Sequence, residues 1–344
     1  MALVDLEILD AWGLADAEVA PLGRGLINAT FAVDPASGPR YVLQRVNPIF
    51  DKRIHHNLLA VTEHLARAGM TTPRLVPTRG DALVVEHEGV WRLLTRVAGV
   101  GFDALADLRQ ADAAGYFVGR WHAALRDLEH EFVGLRVGVH DTPRHLATLR
   151  AALDEHAGHR LYAQVEPLGR ALLDAADRLP ALPDLPEHIA HGDLKINNLM
   201  FAGEAAGSEA IALIDLDTVG PMNLACELGD AWRSWCNLAG EDQLEARFDL
   251  ELFGASLQGW LRGSAEAPSE PERQGLLLGP EWISLELAAR FAADALRERY
   301  FGWDASRFPA RGEHNLVRAQ GQWSLHAQVL ATRAQRLAAL RAAW

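Results

Sequence analysis

The amino-acid sequence predicts an α+β protein with a small, strand-rich first lobe and a larger, mostly helical second lobe. Before residue 99, short apolar runs alternate with turn residues and enclose a single helical period. From Gly99 onward, long helical periods dominate, and one compact segment interrupts them. We therefore expect lobes at residues 1–98 and 99–344, with Gly99-Val100-Gly101 as the hinge between them.

The first lobe is predicted to begin with a hairpin. Ala20–Val33 places glycines and an asparagine between apolar stretches, and Asp34–Pro39 supplies the turn to the next strand. A helical period then runs until Gly69 ends it. The predicted elements are, in order, strands within Ala20–Val33 and from Tyr41 to Leu43, a helix from Phe50 to Ala68, and strands Ala82–Glu86 and Val90–Val97.

Helical periods fill most of the second lobe. They cover roughly residues 105–128, 141–156, 161–179, 225–239, 243–263, 281–299 and 314–343. Gly263–Gly279, which contains Pro268 and Pro271, is predicted to be a surface loop. In the interrupting segment, His188–Val219, two apolar runs flank polar clusters. Short strands with loops inside a helical lobe are a typical location for chemistry.

Composition and charge narrow the classes of partner. Hydrophobic residues make up 49% of the sequence, which is enough to form hydrophobic cores. The 33 basic and 46 acidic residues give a net charge of -13. Because that charge repels a phosphate backbone, we expect no nucleic-acid partner. The stretch MALVDLEILDAWG has acids where a signal peptide has basic residues, and no apolar run reaches the length of a membrane span. We expect a cytoplasmic monomer or homodimer with no membrane partner, in which Cys226 and Cys236 are buried thiols.

The strongest chemical signal is the run His191-Gly192-Asp193-Leu194-Lys195-Ile196-Asn197-Asn198, followed by Ile214-Asp215-Leu216-Asp217. Phosphoryl transfer needs a carboxylate that orients or deprotonates the attacking hydroxyl, and oxygen ligands that hold magnesium on a triphosphate. We therefore predict Asp193 as the catalytic base, and Asn198 and Asp215 as magnesium ligands.

A structural role for these residues is the competing explanation, because acids and amides in loops usually cap helices or close turns. Either motif alone is compatible with that role, whereas the ordered pair, each beside a short strand, favours a site. His191 is predicted to hydrogen-bond backbone and brace the loop rather than act as a base. Lys195 is a candidate for neutralising charge on the transferring phosphoryl group or for binding the acceptor.

Further stretches accompany these motifs: Gly25–Phe31, Tyr41–Asn47, Ile214–Val219, Gly229-Asp230, Arg290-Phe291 and Tyr300-Phe301. Together they resemble the aminoglycoside phosphotransferase and choline kinase superfamily, and within it the bacterial N-acetylhexosamine 1-kinases. The resemblance implies a bilobal protein-kinase-like fold and transfer of phosphate from ATP, with Mg²⁺, to a hydroxyl of a small molecule.

The same resemblance implies a nucleotide site in the first lobe. A glycine turn covers the ATP phosphates, the next residues lie near the nucleotide, and adenine rests against backbone before the hinge. The residues implied are Gly23, Gly25, Asn28, Thr30, Thr95 and Val97.

The phosphate-binding lysine expected on the third strand is absent, and Gln44-Arg45 stands in its place. Neighbouring strand residues face opposite sides, so only one of the two can point into the cleft. We choose Arg45 for its charge. In the helix that follows, Asn57 or Leu58, not Glu63, occupies the position of the cation's expected glutamate partner.

The acceptor site is expected in the second lobe, facing the catalytic base. Asp217 and Arg290 are candidates for binding sugar hydroxyls and an acetamido carbonyl, and Tyr300 or Trp303 for stacking on a pyranose ring. Arg290 has a structural alternative, which is pairing with Glu286. The expected reaction is phosphorylation of the anomeric hydroxyl of N-acetylglucosamine or N-acetylgalactosamine.

Two rival functions remain open. One keeps the chemistry and changes the acceptor to an aminoglycoside, choline or another metabolite. The other is a catalytically silent nucleotide-binding regulatory protein, against which the presence of Asp193, Asn198 and Asp215 argues. The sequence has no G-x-x-x-x-G-K-[ST] loop, no G-x-S-x-G elbow and no H-E-x-x-H helix, so other common enzyme classes find no support.

Overall fold

The computed structural model describes residues 5–23, 27–136, 138–204 and 209–343, so the predicted phosphate-binding Gly25 lies outside the described residues. The first lobe contains an antiparallel five-stranded sheet in the order β1-β2-β3-β5-β4. Its strands are β1 (Glu18–Pro21), β2 (Ala29–Asp34), β3 (Tyr41–Val46), β4 (Val85–Glu86) and β5 (Val90–Thr95).

The two faces of this sheet have different neighbours, because successive side chains on a strand alternate in direction. One face buries Leu43 and Leu93 in a cluster shared with α1 (Leu6–Asp10). The opposite face contributes Val46 to a core that includes α2 (Ile54–Arg67) and continues into the second lobe. The face of a strand residue therefore decides whether its side chain reaches the region between the lobes.

The second lobe consists mainly of helices, as the sequence predicts. They are α3 (Leu108–Leu125), α4 (Thr142–Glu155), α5 (Tyr162–Ala176), α6 (Leu224–Trp235), α7 (Leu250–Gly263), α8 (Glu270–Arg297), α9 (Arg311–Ala331) and α10 (Arg333–Ala343). Short strands lie among them: β6 (Val100–Gly101), β8 (Leu199–Phe201) and β9 (Ala210–Leu213) form one sheet, and β7 (Glu187–Ala190) pairs with β10 (Gly220–Asn223).

Helices α3 and α7 approach each other unusually closely, because glycines replace larger side chains at their contact. A Cβ atom on Gly115 of α3 would lie 1.9 Å from the Ser256 carbonyl oxygen, and one on Gly259 of α7 would lie 2.1 Å from that of Asp112. These distances leave no room for a methyl group. The close helix pair forms part of the core beneath the catalytic loop.

The predicted loop at residues 263–279 is wrong over most of its length, because α8 begins at Glu270. Ser269 caps this helix, and its backbone N–H donates to the Glu272 carboxylate at 2.8 Å. Pro271 is compatible with the first turn, where its missing N–H has no helical partner to lose.

Two other predicted helix boundaries are wrong. Helix α7 begins at Leu250 rather than near residue 243, because the Asp249 carboxylate accepts the Leu252 N–H at 2.9 Å and caps the helix there. The predicted helix 314–343 is two helices, which separate at Thr332.

Both cysteines, Cys226 and Cys236, are free and buried. Among the described helices, none combines the length and apolar character needed to cross a bilayer. Residues 98 and 99 fall between β5 and β6, and β6 pairs with β8 of the second lobe. The lobe limits 1–98 and 99–344 stay a prediction.

Candidate active site

The catalytic loop runs from β7 to β8 and brings three predicted residues into contact. The Lys195 ammonium lies 2.7 Å from Oδ2 of Asp193. The Asn198 amide nitrogen donates to the Asp193 carbonyl at 2.8 Å and to its Oδ2 at 3.1 Å. A 3₁₀ turn at Ile196–Asn198 folds the chain back and so makes these contacts. The loop therefore presents a carboxylate, a cation and an amide oxygen within a few ångströms.

Asp193 is held in its charged form. Burial alone would raise the pKa of its carboxyl group, but the neighbouring Lys195 ammonium outweighs burial, and the pKa is lowered from its usual value. The same proximity to Asp193 and Asp215 raises the pKa of Lys195 despite its burial. At neutral pH the loop therefore contains a carboxylate and an ammonium group.

Asp215 follows β9 in a strained conformation. Its φ of 62° and ψ of 55° lie in the left-handed region, which costs energy for a residue with a side chain. Burial, the Asp217 carboxylate and more distant Asp193 raise its pKa to about 6. A crowded carboxylate of this kind is stabilised by a cation.

Asn198 and Asp215, the predicted metal ligands, lie on two segments that a backbone hydrogen bond joins. The Ile214 N–H donates to the Asn198 carbonyl at 2.9 Å, which ties the two segments together. The Asn198 amide nitrogen is directed at Asp193, so its oxygen is the atom that remains for a metal. Hard oxygen donors next to an under-neutralised carboxylate fit a magnesium ion that also binds phosphates.

The contacts of His191 confirm the predicted bracing role. The Nε2 atom lies 2.9 Å from the Ile214 carbonyl, and Nδ1 lies 3.3 Å from the Asp193 N–H. Its ring thus joins the catalytic loop to the strand that precedes Asp215. The side chain is fully buried, which does not suit a base that exchanges protons with solvent.

Helix α6 fixes the other side of the loop through Glu227, which sequence reasoning did not identify. The Glu227 carboxylate accepts the backbone N–H of His191 at 2.8 Å and that of Gly192 at 2.9 Å. Nε2 of His122 lies 3.3 Å from the same carboxylate. The available signal was an acid within the otherwise apolar stretch Leu224–Leu228.

On the nucleotide side, the described part of the glycine turn contacts the second lobe. Gly23 has a φ of 73°, which a glycine adopts without strain. Asn28 is buried, and its amide donates to Oδ2 of Asp217 at 2.7 Å. The Thr30 hydroxyl accepts from the Gln44 amide at 3.2 Å.

Thr95 and Val97, the two predicted adenine contacts, differ from each other in their surroundings. The N–H of Thr95 donates to the Arg74 carbonyl, and its hydroxyl oxygen accepts the Arg74 N–H, each at 2.9 Å, so both groups already have protein partners. Val97 lies partly exposed beyond the end of β5.

The choice of Arg45 as the cleft cation is corrected by the sheet. Arg45 is exposed, donates to the Glu88 carbonyl and lies 5.9 Å from the Trp91 ring, on the face away from α2. Gln44 is on the face toward the second lobe, where its Oε1 accepts from Arg92 at 2.9 and 2.7 Å. Among the described residues of β3 and β5, the arginine on this face is Arg92.

The expected glutamate partner in α2 is also absent. Asn57 is buried and its side chain bonds both backbone groups of Val133, at 2.8 and 3.0 Å. Arg92 is paired instead with Asp217, and both side chains are almost fully buried.

Of the proposed acceptor residues, Asp217 lines a cavity of about 240 Å³ in the second lobe, and Arg290 and Tyr300 contact residues that line it. Asp217, a predicted hydrogen-bond partner of sugar hydroxyls, lines this cavity. Its two carboxylate oxygens are already bonded to Arg92 and Asn28. Arg136 also lines it, and its guanidinium lies 5.4 Å from the Tyr300 ring.

Arg290 and Tyr300 are brought together next to this cavity. The Arg290 guanidinium lies 6.0 Å from the Tyr300 ring, and its Nη1 lies 3.4 Å from the carbonyl of Val139, a cavity residue. Arg290 is also 3.5 Å from Glu286, as its structural alternative predicted. Both contacts are present, so the pairing with Glu286 does not prevent the contact of Arg290 with the cavity residue Val139.

A small antiparallel sheet above a helical lobe, with acidic and amide groups meeting in the crevice, is the architecture of protein-kinase-like small-molecule phosphotransferases. The sequence profile of the phosphotransferase enzyme family (APH) matches residues 18–265, and the chain belongs to this family. The predicted superfamily and the predicted bilobal kinase-like fold are confirmed.

Several known proteins are similar to this chain. The homoserine kinase of Beijerinckia indica subsp. indica is 29% identical over 222 residues, which are 62% of this chain and 63% of that protein. A microcompartment-associated aminopropanol kinase superposes with a TM-score of 0.62 at 16% identity, over 96% of this chain and 98% of that one. An aminoglycoside phosphotransferase from Alicyclobacillus acidocaldarius has a TM-score of 0.61 at 16% identity, over 99% and 96%. The structural likenesses establish the fold.

Proposed function

We propose that this protein transfers the γ-phosphoryl group of ATP, with Mg²⁺, to the anomeric hydroxyl of an N-acetylhexosamine such as N-acetylglucosamine or N-acetylgalactosamine. The observation that supports phosphoryl transfer is the contact of Asp193 with Lys195 and Asn198, together with Asp215, whose pKa is raised by burial and neighbouring carboxylates. We place the reaction in the cytoplasm and assign it to a monomer or homodimer.

In this mechanism Asp193 orients the acceptor hydroxyl toward the γ-phosphorus. The new O–P bond forms as the bond to the β–γ bridging oxygen breaks, ADP leaves, and Asp193 takes the hydroxyl proton late in a loose transition state. Lys195 stabilises negative charge on the transferring group. Asn198 and Asp215 would hold magnesium, which neutralises charge on the phosphates when it is bound.

Two buried carboxylates at or beside the acceptor cavity are paired, which supports a neutral acceptor; Asp141 and Glu187 also line the cavity. Asp217 is paired with Arg92, and the buried Glu286 lies 3.1 Å from His140, a cavity residue, and 3.5 Å from Arg290. These two buried carboxylates already have cationic or hydrogen-bonding partners, so neither requires the positive charge of choline or an aminoglycoside. Tyr300, 45% exposed, offers an aromatic face to a pyranose ring.

The cavity also has a short connection to the catalytic loop. Thr218 lines the cavity, and its hydroxyl donates to the His191 carbonyl at 2.8 Å, two residues before the proposed base. This proximity supports an acceptor that enters from the cavity side.

Homoserine is a second candidate acceptor, because the 29% identical relative is a homoserine kinase. Homoserine has a carboxylate, which Arg136 or Arg290 at the cavity would bind as a guanidinium–carboxylate pair.

An ADP-release screen of the purified protein distinguishes these acceptors. N-acetylhexosamines, homoserine, aminoglycosides and choline are tested with ATP and Mg²⁺, and the product of any active acceptor is identified by ³¹P NMR. We expect turnover with an N-acetylhexosamine and a phosphate on its anomeric oxygen. Turnover with homoserine alone would replace the acceptor and keep the mechanism. ATP binding without turnover on any acceptor would contradict the proposal and favour a silent nucleotide-binding protein.

A further inference from the structure

Arg92 on β5 lies directly opposite Gln44 on β3, one of the two residues that stand where the phosphate-binding lysine was expected. In the register of β3 and β5, Gln44 is the partner of Arg92, and Arg45 is the partner of Trp91. Directly paired residues on antiparallel strands lie on the same face. Arg92 and Gln44 therefore share the face toward the second lobe, where a lysine at position 44 would also point.

The Arg92 guanidinium is held in a defined orientation. Its Nε and Nη2 both donate to Oε1 of Gln44, and Nη1 pairs with Oδ1 of Asp217. These described contacts use three of the five N–H groups that a guanidinium has, which leaves one on each terminal nitrogen. A planar group with two terminal donors matches the oxygens of a phosphate. Because the side chain is 1% exposed, its neighbours must move for a phosphate to reach these donors.

The partners of Arg92 connect the elements that must enclose a triphosphate. Asp217 accepts from Arg92 through one oxygen and from Asn28, which belongs to the glycine turn, through the other. Gln44 donates to Thr30 on β2. Asp217 also follows the proposed magnesium ligand Asp215 by two residues. These contacts would place Arg92 beside phosphates bound between the glycine turn and the proposed magnesium ligands.

We infer that Arg92 is the cation that binds the nucleotide phosphates in this protein, and that Gln44 and Asp217 hold its guanidinium in position. The inference rests on the proposed use of ATP and adds the identity of the phosphate-binding residue. Arg92 on β5 thereby replaces a lysine on β3, with the charge supplied from the neighbouring strand.

The direct test compares binding of adenosine, ADP and ATP to wild-type protein and variants, measured by isothermal titration calorimetry with Mg²⁺. In Arg92→Gln, affinity for ADP and ATP is expected to fall about 10- to 100-fold, as for loss of a charge-assisted contact. Affinity for adenosine should stay within about twofold of wild type. A merely structural ion pair would weaken all three ligands equally, and that result would overturn the inference, as would unchanged affinity for ATP.

Two further variants supply the comparison. Arg45→Gln tests the rival cation and is expected to bind ATP like wild type. Arg40→Gln removes another exposed arginine, which directly precedes β3 and has a 70% exposed side chain, and serves as the matched charge control. If Arg45→Gln reproduces the selective loss of ADP and ATP binding, the assignment of Arg92 is wrong.

Two variants that keep a positive charge on this face of the sheet test the inference if Arg92→Gln does not fold. Arg92→Gln combined with Gln44→Lys returns one cation to the same face, and Arg92→Lys keeps the charge in place. Circular dichroism establishes that each is folded. We expect both to bind ATP at least fivefold more tightly than Arg92→Gln or, if that variant is unfolded, to bind ATP within about tenfold of wild type. Folded variants that retain adenosine binding and lose ATP binding completely would contradict a role for charge at this face. Wild-type protein that binds no ATP would instead refute the proposed function itself, and this inference with it.

Discussion

Glu227 is expected to couple the stability of the fold to the catalytic loop. Its carboxylate accepts two backbone N–H groups, from His191 and Gly192, and contacts His122, and all of its surface is buried. In Glu227→Gln, one oxygen becomes an NH₂ group that faces a backbone donor. The lost charge-assisted hydrogen bond and the buried donor left unpaired together cost about 3 kcal/mol. The variant should therefore lose about 3 kcal/mol of unfolding free energy.

The same substitution should lower activity beyond its effect on folding. Without its brace, the loop no longer holds Asp193 in a single position, so we expect kcat to fall at least tenfold and the KM for ATP to change little. Urea denaturation and steady-state ADP release measure the two effects. Glu281→Gln is the matched control, since Glu281 is also a fully buried acid but pairs with Arg333 and Arg336 of α10. Equal kcat losses in folded Glu227→Gln and Glu281→Gln would refute the bracing role.

Two further predictions concern stability. Gly115→Ala places a methyl group 1.9 Å from the Ser256 carbonyl oxygen, so urea denaturation should show a loss of about 2–4 kcal/mol, whereas Gly254→Ala on the open side of α7, with no atom within 4 Å, should be neutral or slightly stabilising. Equal effects would contradict the close helix contact. Burial, and next the Arg92 charge, lower the pKa of His55 to about 4, below its usual 6.5, so the unfolded state takes up the proton first as the pH falls. The contribution of neutral His55 to the free energy of unfolding is complete above pH 6.5 and is lost toward pH 4. Between pH 7 and 4, wild type should therefore lose about 3 kcal/mol more than His55→Gln. Parallel curves of stability against pH for the two proteins would contradict this pKa.

The contacts within the predicted catalytic loop could be anticipated from the sequence because they are local. Asp193, Lys195 and Asn198 lie within one short turn, so their spacing alone brings them together. The side-chain role of His191 followed from the same spacing. The order of strands and helices was likewise readable from hydrophobic periodicity.

The arginine on the face toward the second lobe was harder to predict because it depends on strand pairing. Alternation along β3 showed that only one of Gln44 and Arg45 faces the cleft, but it does not say which. The register with β5 settles the face and brings Arg92 into contact with Gln44, 48 residues away in the chain.

The sequence contains a signal for the start of α8. Ser269 and Glu272 have the spacing of a capping box, and Pro271 lies in the first turn, where proline is favoured. The proline and glycine content of the same stretch favours a loop, and the helix cap outweighs it. The acceptor residues depend on packing between distant helices, which local patterns do not encode.

The central claim is that Asp193 is the base of an ATP-dependent phosphotransferase. The most direct measurement is ADP release by Asp193→Ala with the acceptor found in the screen, together with calorimetric binding of ATP and Mg²⁺. Asp127→Ala, in which an aspartate with an 85% exposed side chain is replaced, is the control. We predict that Asp193→Ala loses about 10²- to 10⁴-fold in turnover while ATP still binds. Turnover within about threefold of wild type would contradict the account.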